Sequence, residues 1–211
     1  MKKLAKILLT CSCAVLLLAS CSANLGSGGG QVQAPLEPLS CIAVLPAGTS
    51  VDKDDAIGYE KARSLEKGAD FATEIMAREL GGNPKVRMLS SGQVASLVPD
   101  VSGGLSGTVS AIGKKVNCDG VLLTTVRRFK QREGTEYASE EPASADLHMA
   151  LMHSRTGAVL WTADFRETQE SFLDNILSYN KMQSRGFKWV SVEQLVEQGI
   201  KERLAGCPYL Q

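Results

Sequence analysis

The run Ile42-Ala43-Val44-Leu45-Pro46 constrains this chain more than any other stretch. Four consecutive apolar residues offer no polar side to water, so a strand built from them must be covered on both faces. Pro46 ends the run because it has no N–H to donate to a ladder. A strand of this kind needs helices above and below, and the following residues supply the first. From Asp55 to Leu80 the apolar positions Leu65, Ala69, Ala72, Ile75, Met76 and Leu80 recur at three and four. That is an amphipathic helix, with Gly68 as the place where it could break. Gly81-Gly82-Asn83-Pro84 stops it.

Val86-Arg87-Met88-Leu89 reads as a second strand, and short helices are predicted around Gln93–Leu97 and Ser106–Val116. A third strand runs Val121–Val126 and turns polar at Arg127-Arg128. A charged loop from Lys130 to Pro142 leads to a fourth strand, Asp146–His153. After the turn Thr156-Gly157, Val159, Trp161, Ala163 and Phe165 alternate along a fifth strand, which predicts an antiparallel meander with Trp161 in the core. Ser171–Tyr179 is predicted helical. The last helix is announced by a capping box, Ser191 with Gln194, and by the stripe Val192, Leu195, Val196, Ile200 and Leu204. The expected class is α/β (α+β): a mixed sheet of about five strands with a β-α-β start, a meander and carboxyl-terminal helices.

Upstream, Lys2, Lys3 and Lys6 precede a brief apolar run from Ile7 to Leu18, and Leu18-Ala19-Ser20-Cys21 follows. A basic head, a short hydrophobic middle and small residues before a cut make a secretory signal peptide. Residues 22–40 are rich in Gly, Ser and Pro and read as a tether, which spans at most ~65 Å stretched. The expected organisation is a signal at 1–20, Cys21 with its tether at 21–40, and a single domain at 41–211. Without the signal the chain has 20 basic and 23 acidic residues, which lacks the basic footprint of a nucleic-acid binder.

Asp52, Asp54 and Asp55 begin like a calcium loop, but Ala56 and Ile57 stand where a ligand and the turn glycine belong, so a solvated helix start is preferred. His148-Met149-Ala150-Leu151-Met152-His153 holds soft-metal donors, yet a strand sends His148 and Met152 to one side and Met149 and His153 to the other. Asp164 with Glu167, or Glu140 with Glu141, could pair as carboxylates, without an apolar setting to raise a pKa. Trp189 is read as docking the last helix rather than as a partner anchor. No catalytic, cofactor-binding or metal site is assigned. Apart from Cys21, the cysteines beyond the signal are Cys41, Cys118 and Cys207. If the first and third strands are parallel neighbours, Cys41 and Cys118 share a sheet edge, and the last helix returns Cys207 there. A bridge from Cys207 to either Cys41 or Cys118 is expected, because it closes the longest loop.

Leu18-Ala19-Ser20-Cys21 resembles the lipobox of bacterial lipoproteins, which implies lipid on Cys21, cleavage before it, and attachment to a membrane. Ser22, in place of the aspartate that retains such proteins at the inner membrane, implies the periplasmic face of the outer membrane. Ile42–Pro46, Arg78-Glu79-Leu80, Val86–Leu89, Asn117-Cys118-Asp119-Gly120-Val121-Leu122 and Thr156–Trp161 together resemble the module of the TolB amino-terminal domain, the penicillin-binding-protein activator lipoproteins and the curli-secretion lipoprotein CsgG. The resemblance covers about residues 41–167 and implies a non-enzymatic accessory or scaffold that binds an envelope protein. The segment Lys130–Pro142 is too short and too charged for the hairpins of a curli-type pore. A small-ligand or glycan-binding lipoprotein is the alternative, and an enzyme the third.

Overall fold

A computed structural model describes residues 38–50, 58–98, 104–134, 139–169 and 190–211. The signal, Cys21, most of the tether, Asp52 with Asp54 and Asp55, the helix expected at Ser171–Tyr179, and Trp189 lie outside these residues. In chain order the elements are β1 Ile42–Val44, β2 Gly48–Thr49, α1 Tyr59–Leu80, β3 Val86–Met88, α2 Ser91–Leu97, α3 Gly104–Val116, β4 Gly120–Lys130, β5 Glu133–Gly134, β6 Ser139–Glu141, β7 Ser144–His153, β8 Val159–Thr168 and α4 Val192–Ala205. Five strands run β3-β1-β4-β7-β8 across one mixed sheet, and β2 joins it beside β4. β1 is parallel to both β3 and β4. β2 is likewise parallel to β4, while β4 with β7 and β7 with β8 are antiparallel. β5 and β6 form a separate small ladder inside the expected charged loop.

β1 has no exposed residue, as its sequence requires. Its side chains alternate between two cores. Ile42 and Val44 join Leu122, Val126, Leu147, Met149 and Leu151 under α1 and α4. Ala43 and Leu45 join Val121 and Met152 under Val109, Ile112 and Val116 of α3. The helices therefore sit on both faces. The order of the parallel strands follows from covering β1: α1 returns the chain to one side of it as β3, and α3 returns it to the other side as β4.

Local capping sets the helix limits. Ser90 accepts from the Gln93 N–H at 3.2 Å, and Gln93 Oε1 accepts from the Ser90 N–H at 2.8 Å, so α2 starts at Ser91, two residues before its predicted start. The same box at Ser191 and Gln194 opens α4, and all five predicted stripe residues are buried. Asn117 takes a left-handed φ of 55°, and the Cys118 N–H reaches back to the Gly113 carbonyl at 2.9 Å, which ends α3 and turns the chain into β4.

Three expectations are corrected. Gly68 does not break α1. It is buried in a continuous helix, and a Cβ there would lie 2.7–2.8 Å from the Phe129 side chain, so the glycine is the seat of that ring. β8 is an edge strand, and of the four alternating residues only Phe165 is buried, while Trp161 is half-buried and Val159 is 58% exposed. α4 reaches Phe165 through Gly199, where a Cβ would meet the ring at 2.5 Å. Finally, the disulfide joins Cys41 to Cys118, with Cα atoms 4.5 Å apart, and Cys207 is free. Cys41 and Cys118 do share a sheet edge. Cys207, however, follows α4 onto the opposite face, with the sheet between it and the other two. The carboxyl-terminal tail is held instead by burial of Cys207 and Tyr209 and by Asn83 Nδ2 donating to the Leu210 carbonyl at 2.9 Å.

The chain is fastened at both ends of what the structure describes around residues 169 and 190 as well. The Gln169 N–H donates to the Ala143 carbonyl at 3.0 Å, and its side-chain oxygen accepts from the Val190 N–H at 2.8 Å. At the amino-terminal side Leu39 is buried, and Ser40 donates through its N–H (3.0 Å) and its hydroxyl to Asp119 Oδ2.

Two stability measurements check this account. Gly68→Ala, which would ordinarily stabilise a helix by about 1 kcal/mol, is expected here to destabilise by about 1–3 kcal/mol through overpacking against Phe129. Urea midpoints should show the loss, and Phe129→Leu should relieve part of it; a higher midpoint for Gly68→Ala would refute the packing. Replacing Cys41 and Cys118 with Ser opens a link across 77 positions and should cost about 2–4 kcal/mol, while Cys207→Ser should leave the mobility on non-reducing gels unchanged.

Candidate functional site

A bulge in β4 organises the polar surface. Val126 is opposite Leu147 and Arg128 is opposite Asp146, so Arg127 is an extra residue without a register partner. One inserted residue reverses the alternation of all that follow. Phe129 is thereby sent into the core with Ala145, while Arg127, Arg128 and Lys130 all turn toward the other face. α3 covers the Val121–Met152 end of that face.

Directly opposed residues share a face, so the register reads out three polar rungs across β4, β7 and β8. They are Thr125-His148-Asp164, Arg128-Asp146-Arg166 and Lys130-Ser144-Thr168. In the first rung His148 Nδ1 donates to Asp164 Oδ1 at 2.9 Å, and Arg127 Nη1 reaches the same oxygen at 3.3 Å. The hydrogen bond from His148, aided by the nearby Arg127 and Arg166 charges, holds the Asp164 carboxyl below its ordinary range. In the second, Arg166 Nε donates to the buried Asp146 at 2.7 Å. In the third, Arg128 Nη1 and the Thr168 hydroxyl both donate to Ser144 Oγ, at 3.3 and 3.2 Å.

Beside this strip a groove of about 580 Å³ opens between the first turns of α1 and the end of β4. Glu60, Lys61, Ser64 and Leu65 form one wall, and residues 127–133 form the other. The Ser64 hydroxyl donates to the Phe129 carbonyl and ties the walls together. Lys130 pairs with Glu141, and Gln131 bridges to α4 through Glu193 Oε2 (2.8 Å) and the Val192 N–H (3.2 Å).

The residues singled out in the sequence are dispersed. His148 lies on the polar strip, whereas His153 is buried at the β7–β8 turn, where Nδ1 accepts from the Arg155 and Thr156 N–H groups at 3.1 and 3.3 Å. Met149 and Met152 lie in opposite cores. Asp164 and Glu167 are three apart on one strand and so take opposite faces. Burial pushes the Cys207 thiol up, away from the reactive thiolate. Among the described residues, no group of three metal-ligating side chains is gathered, and no helix is long and apolar enough to cross a membrane. The strip and groove were missed in the sequence because they depend on the bulge; Arg127-Arg128 at the end of an apolar strand was the visible signal.

No protein-family model matches the chain, and no curated protein is similar to it in sequence. Solved structures with partial likeness include PelC of Paraburkholderia phytofirmans, at 15% identity over 81% of this chain and 89% of that one, TM-score 0.43. Lipoprotein GNA1162 of Neisseria meningitidis is 16% identical over 70% and 93%, TM-score 0.40. The LpoB carboxyl-terminal domain of Escherichia coli is 19% identical over 65% and 90%, TM-score 0.39.

The first rung makes a pH-dependent prediction. A carboxyl held below its ordinary value of 3.8 adds stability above that pH and loses it as the pH falls toward the lower folded-state value. Asp164→Asn should therefore cost about 0.2–1 kcal/mol at pH 7, small because the side chain is exposed. The difference from wild type should narrow below about pH 4. A constant difference from pH 7 to pH 3 would rule the rung out as its source.

Proposed function

We propose that this chain is a lipoprotein anchored through Cys21 at the periplasmic face of the outer membrane, where it acts as a non-enzymatic accessory of envelope assembly by binding another protein. The observation that carries the reading is the Cys41–Cys118 bond. Disulfides persist in oxidising compartments outside the cytosol, which is where a chain bearing Leu18-Ala19-Ser20-Cys21 would be delivered. The bond also sits where the tether would transmit any pull, so the fold is covalently closed next to its attachment. Both histidines are engaged in structure, His148 with a carboxylate on an open strand surface and His153 with backbone N–H groups in a turn, which favours binding over acid–base chemistry. The three rungs supply a polar surface of mixed charge, the kind that gives a protein contact its register.

Replacing Cys21 with Ala should abolish incorporation of labelled palmitate and release the chain from washed outer membranes. Retention after a high-salt wash would show that lipid is not the anchor. A photo-crosslinking side chain at Thr162, exposed on β8 of the strip, should yield a discrete protein adduct in intact cells, whereas one at Lys114 on α3 should not. Equal labelling from both positions would remove the strip as the contact.

A further inference from the structure

We propose that β8 pairs antiparallel with β8 of a second copy of this chain, in the register that sets Asp164 opposite Arg166, whichever envelope protein meets the strip. The two edges of the sheet are unlike. β3 is three residues long and offers little to pair with, whereas β8 runs ten residues and contains neither Lys nor Pro, two usual means of blunting an edge. Gln169 fixes which backbone groups of β8 are open. Its N–H donates to the Ala143 carbonyl, so by alternation Ala163, Phe165 and Glu167 turn their N–H and C=O groups toward β7. Thr162, Asp164, Arg166 and Thr168 turn theirs outward, and among the described residues none bonds to those outward groups. The same four residues are exposed, with their side chains on the face of the polar strip.

Outward groups can meet only outward groups, so an antiparallel partner must set even-numbered residues of β8 opposite even-numbered ones. Charge then chooses among the registers. Centring the pair on Asp164 opposes two aspartates, and centring it on Arg166 opposes two arginines; like charges directly opposite are unfavourable. Centring it on Ala163 leaves Arg166 opposite Leu160. Centring it on Phe165 opposes Asp164 to Arg166 of the second copy twice over, and Thr162 to Thr168 twice over. Both charged side chains have capacity left: Asp164 and Arg166 are 63% and 69% exposed, and the rungs use only Asp164 Oδ1 and Arg166 Nε. The seam also continues the rungs. Arg128-Asp146-Arg166 of one copy meets Asp164-His148-Thr125 of the other, so charge goes on alternating from strand to strand. α4 packs on β7 as well as β8, about half a strand spacing behind the edge, so the two α4 helices would meet at about 10 Å, an ordinary packing distance.

The test is disulfide trapping in the full-length chain, extracted from cells in a nonionic detergent and oxidised with copper-phenanthroline. Thr162→Cys combined with Thr168→Cys should give a product of twice the chain's mass on non-reducing gels. Opposed residues of a hydrogen-bonded pair lie about 5.5 Å apart at Cα, which suits a disulfide. Within one chain the two positions are about 20 Å apart along β8 and cannot join each other. Neither single variant should dimerise, because in this register each position lies about 20 Å from its own counterpart. Wild type, with Cys207 buried, sets the background. Adding Asp164→Lys to the double variant puts like charges across the seam and should lower the yield at least about fivefold. Unchanged melting temperatures would exclude loss of fold as the cause. Dimer from the double variant alone supports the pairing. No dimer from it, as much dimer from either single variant, or a yield that Asp164→Lys leaves unchanged, overturns it. The envelope partner is judged separately: a Thr162 photo-adduct of twice the chain's mass is this contact, and one of another mass is that partner.

Discussion

The rest of the molecule depends on the double burial of β1. Three residues without exposure, parallel to β3 on one side and β4 on the other, cannot be satisfied by a single layer of helices. α1 and α4 must cover one face and α3 the other, and the chain must pass from one strand to the next through those helices. Once β1 is central, β4 is committed to a position where one edge meets β1 and the other is free for β7. The meander then extends the sheet away from β1. The Cys41–Cys118 bond and the Asn117 turn secure this arrangement where β1 and β4 begin.

One strand serves two purposes because its parity changes along its length. Before the bulge, β4 contributes alternately to the two cores. After it, the face that continues the α3 side carries Arg128 and Lys130 opposite Asp146 and Ser144, while Phe129 reaches Gly68 on the other. The charged strip and the packed floor of the groove are therefore products of the same irregularity. A regular β4 would have had to choose between a buried aromatic ring and two adjacent arginines.

Much of the framework could be read before the structure. The apolar stripes of α1 and α4, the capping box at Ser191, the β-α-β start and the meander all depend on periodicity and local hydrogen bonding, which neighbouring residues express by themselves. The errors share a different cause. Gly68 looked like a helix breaker because its ring partner lies 61 positions further along the chain. Trp161, which is half-buried, looked like full core because alternation records which side a residue faces, not how completely that side is covered. The disulfide went to the pair that the β1–β4 register brings together, because loop length bears on how much a bridge stabilises rather than on which sulfurs meet. The strip and groove needed the bulge, and a bulge is specified by the fit between two strands.

Gln169 has a consequence for how this protein can change over time. Its backbone is tied to Ala143 and its side chain to Val190, so one residue joins the start of β7, the end of β8 and the approach to α4. A substitution at Gln169 would therefore loosen β7, β8 and α4 together, which leaves this position far less free to vary than an exposed one.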